Sequence, residues 1–585
     1  MSKSDRGAAA RAAFRKGDAD RKADNAAAAR EEAEKNRPPV VCLGAEGNQY
    51  VLYSTAYKRI HRLTAEKLTL PNLRAIAPRA RWEAWLFPER VTAGDEVKRG
   101  ELVEAAQERI IADSGAKMFD ASRVRSRGVW PDAAGGWVYN AGASCWWIPA
   151  DGGQVEQIDH VRGDYVYSAG VALPSPADTP LSDAEGRELV ELMRARSWVI
   201  PDAGDVMAGW MVAAMLAGVM PICPHVWINA PAGTGKTYLK NDLVAVLGGL
   251  AVQVEGAATT EAAIRQRLSG AALPFLADEV EQGDNETAGR NIRKWLDLMR
   301  SASYGGSIDK GGADGTARAY SMKCSCALFS IANCISRDAD SSRCLVLHLS
   351  KGDKSIQDVW TRQDAGRALV QTPGFHSRLM ARLLACLPVL MENLAALRKH
   401  LGKVEGVDSR RAELFAVLLA CRHALVSRER MSMEAMQEAA AVMLAYGEQE
   451  EKESDFSRCL AVLLGHVVRV RGQEMTVADA CRVMEARADA EAMAACALSL
   501  SAAGLRWLDG QNAALQVDTL EDKMRRIYTG TQWSNGKIAP VLAEGVDRGK
   551  GKKGANRVGI YYRCEPKLGR RKCVVIPAAL VLGDE

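Results

Sequence analysis

HVWINAPAGTGKTYLK, residues 225–240, decides the fold. HVWIN is a short apolar run with the length and composition of a buried strand. Ala230–Thr237 then fits the phosphate-loop pattern [AG]xxxxGK[ST], and YLKNDLVAVLGG continues as a helix. Gly233 and Gly235 let backbone N–H groups turn inward on a triphosphate. Lys236 sets a positive charge against the β- and γ-phosphates, and Thr237 has the hydroxyl that Mg²⁺ favours. The helix that begins at Lys236 adds its positive end. Ala230, Pro231, Ala232, Gly233, Thr234, Gly235, Lys236 and Thr237 are therefore expected to hold ATP.

Downstream, LPFLADE (Leu273–Glu279) is an apolar strand that ends in two acids. Asp278 is expected in the Mg²⁺ shell, and Glu279 as the group that orients or deprotonates the attacking water. CALFSIAN closes a third apolar strand on Asn333, whose amide suits a γ-phosphate or water contact. SRDADSSR places Arg337 and Arg343 just before another buried strand, RCLVLHL. Either arginine could stabilise transition-state charge in a site shared between subunits, with Arg343 preferred and Arg337 second. Between the acids and Asn333, SYGGSIDKGGADGTARAYSMK is rich in glycine and carries Lys310, Arg318 and Lys323. Small and basic residues between two strands predict a projecting hairpin that touches a nucleic-acid phosphate; a plain solvated loop has the same composition.

The order phosphate loop, DE strand, GG…K segment, Asn-ended strand, then Arg resembles the superfamily 3 helicases. These are AAA+-type ATPases of viral, phage and plasmid replication. The likeness is strong from Gly209 to Leu349 and loose on the flanks. It implies a hexameric ring, ATP sites between subunits and a pore hairpin on single-stranded DNA. It makes Ala230–Thr237 the Walker A motif, Asp278–Glu279 the Walker B motif, Asn333 sensor 1, Arg343 the finger, and Lys310 or Arg318 the pore contact. Ser307 stands where the family has an aspartate after its glycine pair, so the DNA contact is the weakest transfer.

Working outward, 585 residues with 48% hydrophobic and 25% charged residues exclude a wholly disordered or collagen-like chain. Residues 1–37 are Ala, Arg, Lys, Asp and Glu with one Phe, the composition of a disordered charged tail. From 38 to 178, VVCLG, YVLYS, GGWVYN and CWWIP predict a β-rich domain with one helix near 102–112. Arg123, Arg125 and Arg127 alternate ahead of Trp130 and read as one solvated strand face beside a core Trp. PSPADTP is a linker. Ser182-x-x-Glu185 is a capping box that opens the ATPase core at 179–355. The Ala-, Leu- and Met-rich stretch 356–515 predicts helices. Residues 516–585 predict helices near 520–528 and 535–543 and a hairpin of RVGIYYRC and RRKCVVIP, a winged-helix-like end. The class is thus α/β: a P-loop NTPase (AAA+-like) core with a parallel sheet, flanked by β-rich and helical parts.

Net charge is +5, but Asp547–Cys573 alone holds ten Lys/Arg against two Asp/Glu. That concentration suits a duplex-DNA phosphate contact. Fourteen cysteines without a CxxC pair read as free thiols in a reducing cytoplasm. Met207–Pro224 lacks charge but is broken by Gly209, Gly218, Pro221 and Pro224, so a buried core helix is expected and no membrane partner. His225 is expected to pack rather than react. The expected function is an ATP- and Mg²⁺-dependent helicase or translocase acting on single-stranded and duplex DNA as a homo-hexamer. The alternatives are an ATPase switch that remodels or loads a protein without unwinding DNA, and a binding protein whose ATP site only stabilises oligomers.

Overall fold

The computed structural model describes residues 37–585 except 201, 231–232, 257–258, 269, 281–285, 312–316, 331–341, 351–356, 406, 453–454, 488, 509, 511–512, 519–520, 529–537, 539–540, 543–561, 564–569, 572 and 583–585. The expected tail, residues 1–37, lies outside them up to 36. So do most of the expected helix near 535–543 and most of the basic cluster Asp547–Cys573. The chain forms two compact units, Met1–Val442 and Met443–Glu585.

The first unit opens with an antiparallel sheet β1 (Val40–Glu46), β2 (Gln49–Ser54) and β3 (Ile60–Leu63). Four helices follow: α1 (Leu70–Ile76), α2 (Arg79–Leu86), α3 (Pro88–Ala93) and α4 (Arg99–Gly115). Only the last was expected. Pro71 and Pro88 sit in the first turns of α1 and α3, and Pro78 is the N-cap of α2. A proline that reads as a breaker can equally begin a helix, because its missing N–H has no partner there anyway. Leu52, Leu73, Trp82, Leu102 and Ile110 make the core that joins sheet and helices.

Seven short strands complete this module: β4 (Val124–Arg125), β5 (Gly128–Pro131), β6 (Trp137–Asn140), β7 (Cys145–Ile148), β8 (Glu156–Ile158), β9 (Val161–Arg162) and β10 (Tyr165–Tyr167). β5–β8 form one antiparallel sheet, and β4, β10 and β9 another. The expected β-runs GGWVYN and CWWIP are β6 and β7. The arginine face is not solvated as expected: Arg123, Arg125, Arg127 and Trp130 are all half-buried, and Arg125 lies over the rings of Trp130 at 5.1 Å and Tyr165 at 4.3 Å.

Ser182 caps α5 (Asp183–Arg194) with the reciprocal Glu185 bonds of the capping box, worth about 1 kcal/mol. α6 (Ala203–Met215) is buried along its whole length; the uncharged stretch from Met207 supplies its core part, and Asp205 in its first turn pairs with Arg194 and Arg422. The core between residues 225 and 348 is a five-stranded parallel sheet. Its elements in chain order are β11 (His225–Asn229), α7 (Lys236–Leu247), β12 (Val252–Glu255), α8 (Glu261–Leu268), β13 (Phe275–Asp278), α9 (Glu286–Ala302), β14 (Ser307–Gly311), β15 (Ala317–Ser321), β16 (Cys326–Ser330) and β17 (Cys344–His348). The sheet order is β12-β13-β16-β11-β17, and β14–β15 is a separate antiparallel hairpin. β11 therefore lies between the last two strands, with both faces covered, which explains its unbroken apolar run.

Helices α10 (Gln357–Val370), α11 (Phe375–Leu401), α12 (Ser409–Val426) and α13 (Met433–Lys452) follow, and the unit boundary falls inside α13. An added Cβ on Gly209 of α6 would collide with the Leu418 carbonyl of α12, so glycine sets how closely these helices pack. Among the described residues, α11 alone is long and apolar enough to cross a membrane, and 61% of its most apolar window is buried here. It also carries the fully buried Arg382, which pairs with Asp183 at 2.8 Å and donates to the Leu181 and Ala424 carbonyls.

The second unit continues with α14 (Asp455–Gly465), β18 (Val467–Val470), β19 (Gln473–Thr476), α15 (Val477–Ala486), α16 (Ala490–Ala502), β20 (Leu505–Leu508), β21 (Ala514–Asp518), α17 (Glu521–Ile527), β22 (Tyr562–Arg563), β23 (Arg570–Arg571), β24 (Cys573–Pro577) and α18 (Ala578–Leu582). The expected all-helical region thus contains strands. Arg471 and Gly472 both have positive φ, +52° and +81°, the two-residue turn that suits a tight hairpin. The expected boundary at 515/516 falls within β21. β24, from RRKCVVIP, pairs with β21 in the sheet β20-β21-β24, and Tyr562–Arg563, the described residues of RVGIYYRC, pair with Arg570–Arg571. Val574 and Ile576 must cover an apolar face, and Leu515 and Val517 provide it.

Candidate nucleotide-binding site

Ligands of open parallel sheets gather at the carboxyl ends of the strands. Here that edge holds Asn229, Asp278 and Ser330. Ala230 N–H donates to the Ser330 carbonyl at 2.9 Å, so the loop leaves the sheet one residue after β11 ends. Gly233 and Gly235 have φ of +80° and +90°. A Cβ on either would meet nothing within 4 Å, so backbone conformation rather than space demands glycine. Gly235 is the N-cap of α7, and the first turn of that helix, with Lys236 and Thr237, faces out of the loop with its N–H groups unused by the helix. Pro231 and Ala232 lie outside the described residues.

Two ammonium groups meet one carboxylate across this edge. Lys240 Nζ donates to Asp278 Oδ2 at 2.7 Å, and Lys236 Nζ stands 3.9 Å from Asp278 Oδ1. All three side chains are largely shielded from solvent. Two ammonium groups beside the N-terminus of α7, whose backbone adds its positive end, make an arrangement that suits phosphate. Lys240 did not emerge from the sequence. Its signal was its place one turn beyond Lys236, where i and i+4 side chains share a helix face.

Asp278 ends β13, and its carbonyl accepts from Gly256 N–H at 3.0 Å. Its Oδ1 accepts from Glu279 N–H at 2.9 Å. Glu279 has φ of +54°, uncommon for a residue with a Cβ, and is exposed. Val280 N–H then returns to the Phe329 carbonyl of β16 at 3.0 Å. The chain is thus held on both sides of Glu279 while that one residue is turned out towards solvent. Strain of this kind collects at working sites.

Two exposed groups flank the loop. Tyr238 is 62% exposed, and Val199 is 48% exposed. Val199 N–H donates to the His348 carbonyl at 2.9 Å, and Ser350 N–H to the Ser197 carbonyl at 2.8 Å, which ties residues 197–199 to the end of β17. Asp242, deeper in α7, pairs with Arg196 and with Arg367 Nε at 3.0 Å. Burial pushes the Arg196 guanidinium down to about 10, with Arg367 adding repulsion.

His225 packs as expected. Its Nδ1 accepts from Cys326 N–H at 3.1 Å, and its Nε2 lies 2.9 Å from the Met299 carbonyl and from Ser303 Oγ. Burial pushes its pKa down to about 4.

Arg343 is at the other end of the sheet. Its carbonyl accepts from His225 N–H at 3.1 Å, and His225 is in register with Cys344. The length of β11, at ~3.3 Å per residue, separates it from the phosphate loop of the same chain. Its guanidinium lies 5.9 Å from the Tyr304 ring and contacts Ser342 Oγ. Asn333 and Arg337 lie outside the described residues.

The hairpin expected between the acids and β16 is present as β14–β15, with Lys310 directly opposite Arg318. Lys323 follows it, with Nζ donating to the Gly218 carbonyl at 3.2 Å; burial lowers its pKa. That bond ties the hairpin base to the segment behind β5. The site thus brings Lys236, Thr237, Asp278 and Glu279 to one edge, sets Arg343 away from them, and puts Lys323 at the base of the hairpin rather than along it.

No protein-family model matches the chain, and no curated protein does. Among solved structures it is similar to "SCCmec type IV Cch - active helicase", at 10% identity and TM-score 0.48 over 93% of this chain and 95% of that one. It is also similar to a full-length MCM homolog from Methanopyrus kandleri, at 15% identity and TM-score 0.31 over 61% and 93%. Likeness this distant assigns neither a family nor an activity.

Proposed function

We propose that this chain binds and hydrolyses ATP and uses it to drive a motor on DNA. The observation that carries the reading is the glycine loop at the carboxyl edge of a parallel sheet, with Lys236 and Lys240 gathered on Asp278. The donor set fits a magnesium ion. Thr237 Oγ1 and the Asp278 carboxylate are the hard oxygen ligands this cation takes, and the ion would neutralise charge on the β- and γ-phosphates. Lys236 and the first N–H groups of α7 would bind and orient those phosphates. Glu279, turned outward, would orient and deprotonate the attacking water.

Arg343 has no route to the phosphate loop of its own chain. Its place supports an assembly in which it completes the site of a neighbour, and a ring such as a hexamer provides that geometry. Asn333 is assigned to sensor 1 by resemblance, and Arg337 is the second choice of finger from its place in the same segment. For DNA, Lys310 and Arg318 on β14–β15 are the proposed contacts with a single strand, and the Asp547–Cys573 cluster the proposed duplex contact. A cytoplasmic setting rests on the cysteines read as free thiols, and phage- or plasmid-type replication on the sequence resemblance.

The test is ATP turnover with and without single-stranded DNA, on protein sized by light scattering. A motor predicts an oligomer whose turnover rises with DNA. Turnover indifferent to DNA would favour the remodelling or loading switch instead.

A further inference from the structure

The second unit carries a surface that the ATP site does not explain. α15 and α16 are joined by three residues, Arg487–Asp489, and are followed by the β20–β21 hairpin. This is the helix-turn-helix order, in which the second helix reads the major groove. The commonest base-specific contacts come from Arg, Lys, Asn and Gln on that helix, and Arg and Lys also lead the phosphate contacts. α16, AEAMAACALSLSA, has none of them. Its one charge is Glu491, which pairs with Arg471 at 3.2 Å. Its exposed side is mostly apolar: Ala494, Ala497 and Ala502 are exposed and Leu498 is 74% exposed, with Ser501 as an exposed hydroxyl among them.

Beside Leu498 lies a groove of about 430 Å³. Its apolar wall is Val468, Leu498, Ala502, Ala503 and Ile527, and its polar groups are Ser499, His466, Arg469 and Arg526. Among the described residues, no carboxylate lines it. Ser499 Oγ is committed to the Arg469 carbonyl at 2.6 Å. Arg469 pairs with the Glu474 carboxylate at 3.5 Å, and both side chains are well exposed, a pairing of little strength. The groove therefore offers an apolar floor with positive charge at its rim.

We propose that this groove docks a short acidic amphipathic segment of a partner protein. A large apolar side chain of the segment would cover Leu498, Val468 and Ile527. Its carboxylates would meet Arg526 and Arg469. Helix-in-groove recognition of this kind takes its affinity from the apolar anchor and its selectivity from charge. The absence of any basic residue on α16 disfavours duplex DNA as the occupant.

The test is a random-peptide display library panned on the full-length chain and counter-selected on the Leu498→Glu variant. Asp- and Glu-rich peptides that carry Leu, Phe or Trp should be enriched. A labelled synthetic copy of the strongest peptide should bind the chain in fluorescence anisotropy, and Arg526→Glu should weaken it about tenfold or more. Thermal melting of both variants should match the parent, because both side chains are exposed. Failure to enrich any peptide, enrichment of basic ones, or binding insensitive to Leu498→Glu would each overturn the proposal. Displacement of the peptide by duplex DNA would also overturn it and assign the groove to nucleic acid. Neither outcome depends on ATP turnover.

Discussion

Of the two ammonium groups on Asp278, Lys236 is the one that the proposed chemistry sets against the phosphates. Lys236→Ala is expected to lower ATP turnover by roughly 10²–10³-fold or more while the melting temperature holds, because a positioned charge is lost and little packing. Unchanged turnover would remove the assignment. Glu279→Gln keeps shape and loses the base. Nucleotide affinity, read by equilibrium binding, should persist while turnover falls roughly 10²–10⁴-fold; collapsed affinity would give Glu279 another role. His225 makes a third test. Cys326 N–H already points at its Nδ1, so a proton there would set two donors against each other. Its folded pKa near 4 lies below its ordinary value of 6.5, so the unfolded chain binds more protons between these values. Its contribution to stability is complete above pH 6.5 and is lost as pH falls towards 4. Melting temperature should drop across that window, and His225→Asn should flatten part of the drop even if its own melting point is lower. The phosphate loop was legible because glycine, lysine and threonine at fixed spacing leave few alternatives. Lys240 and the left-handed Glu279 were not legible, since each depends on where β13 ends beside α7.

Among elements, the core strands were readable from their apolar runs, and the β14–β15 hairpin from its glycines and bases. The helices α1–α3 were hidden because their prolines read as stops. The strands β18–β21 were hidden because they are short and lie between helical patterns. At this scale the proposal for β14–β15 is separable from catalysis. Lys310→Ala with Arg318→Ala should remove stimulation of turnover by single-stranded DNA and leave basal turnover intact. A double variant still stimulated as the parent is would take DNA away from this hairpin. Lys323 belongs to a different test, since its bond to Gly218 anchors the hairpin base.

For the whole molecule, the sheet that places Arg343 and Lys236 at opposite ends makes one chain insufficient in the proposed mechanism. Mixing Arg343→Ala with Lys236→Ala protein should restore part of the lost turnover, because some interfaces then join an intact loop to an intact arginine. Mixed assemblies with no recovery at any ratio would defeat the shared site. The duplex contact needs a gentler change than truncation. Removing everything after Gly545 would also remove β24 and strip β21 of its cover on that side. Replacing Lys550, Lys552 and Lys553 by Gln should weaken duplex binding and reduce the slope of log affinity against log salt by about 0.9 for each phosphate no longer neutralised. An unchanged slope would make that cluster a solubility feature. The overall plan of this unit was the least legible part, because pairing between Ala514–Asp518 and Cys573–Pro577 is a long-range choice that no local pattern records.

That pairing also sets an order in time. β18–β19 closes through a two-residue turn, whereas β24 reaches β21 only after the chain from Asp518 to Cys573 has looped back, and distant contacts form late. Until then the residues Leu515 and Val517 lack their cover of Val574 and Ile576. The newly made second unit therefore passes through an interval with an unsatisfied strand edge, the state most prone to aggregation. Slower synthesis at low temperature, or a chaperone that shields such edges, should raise the yield of soluble chain more than any change in the first unit.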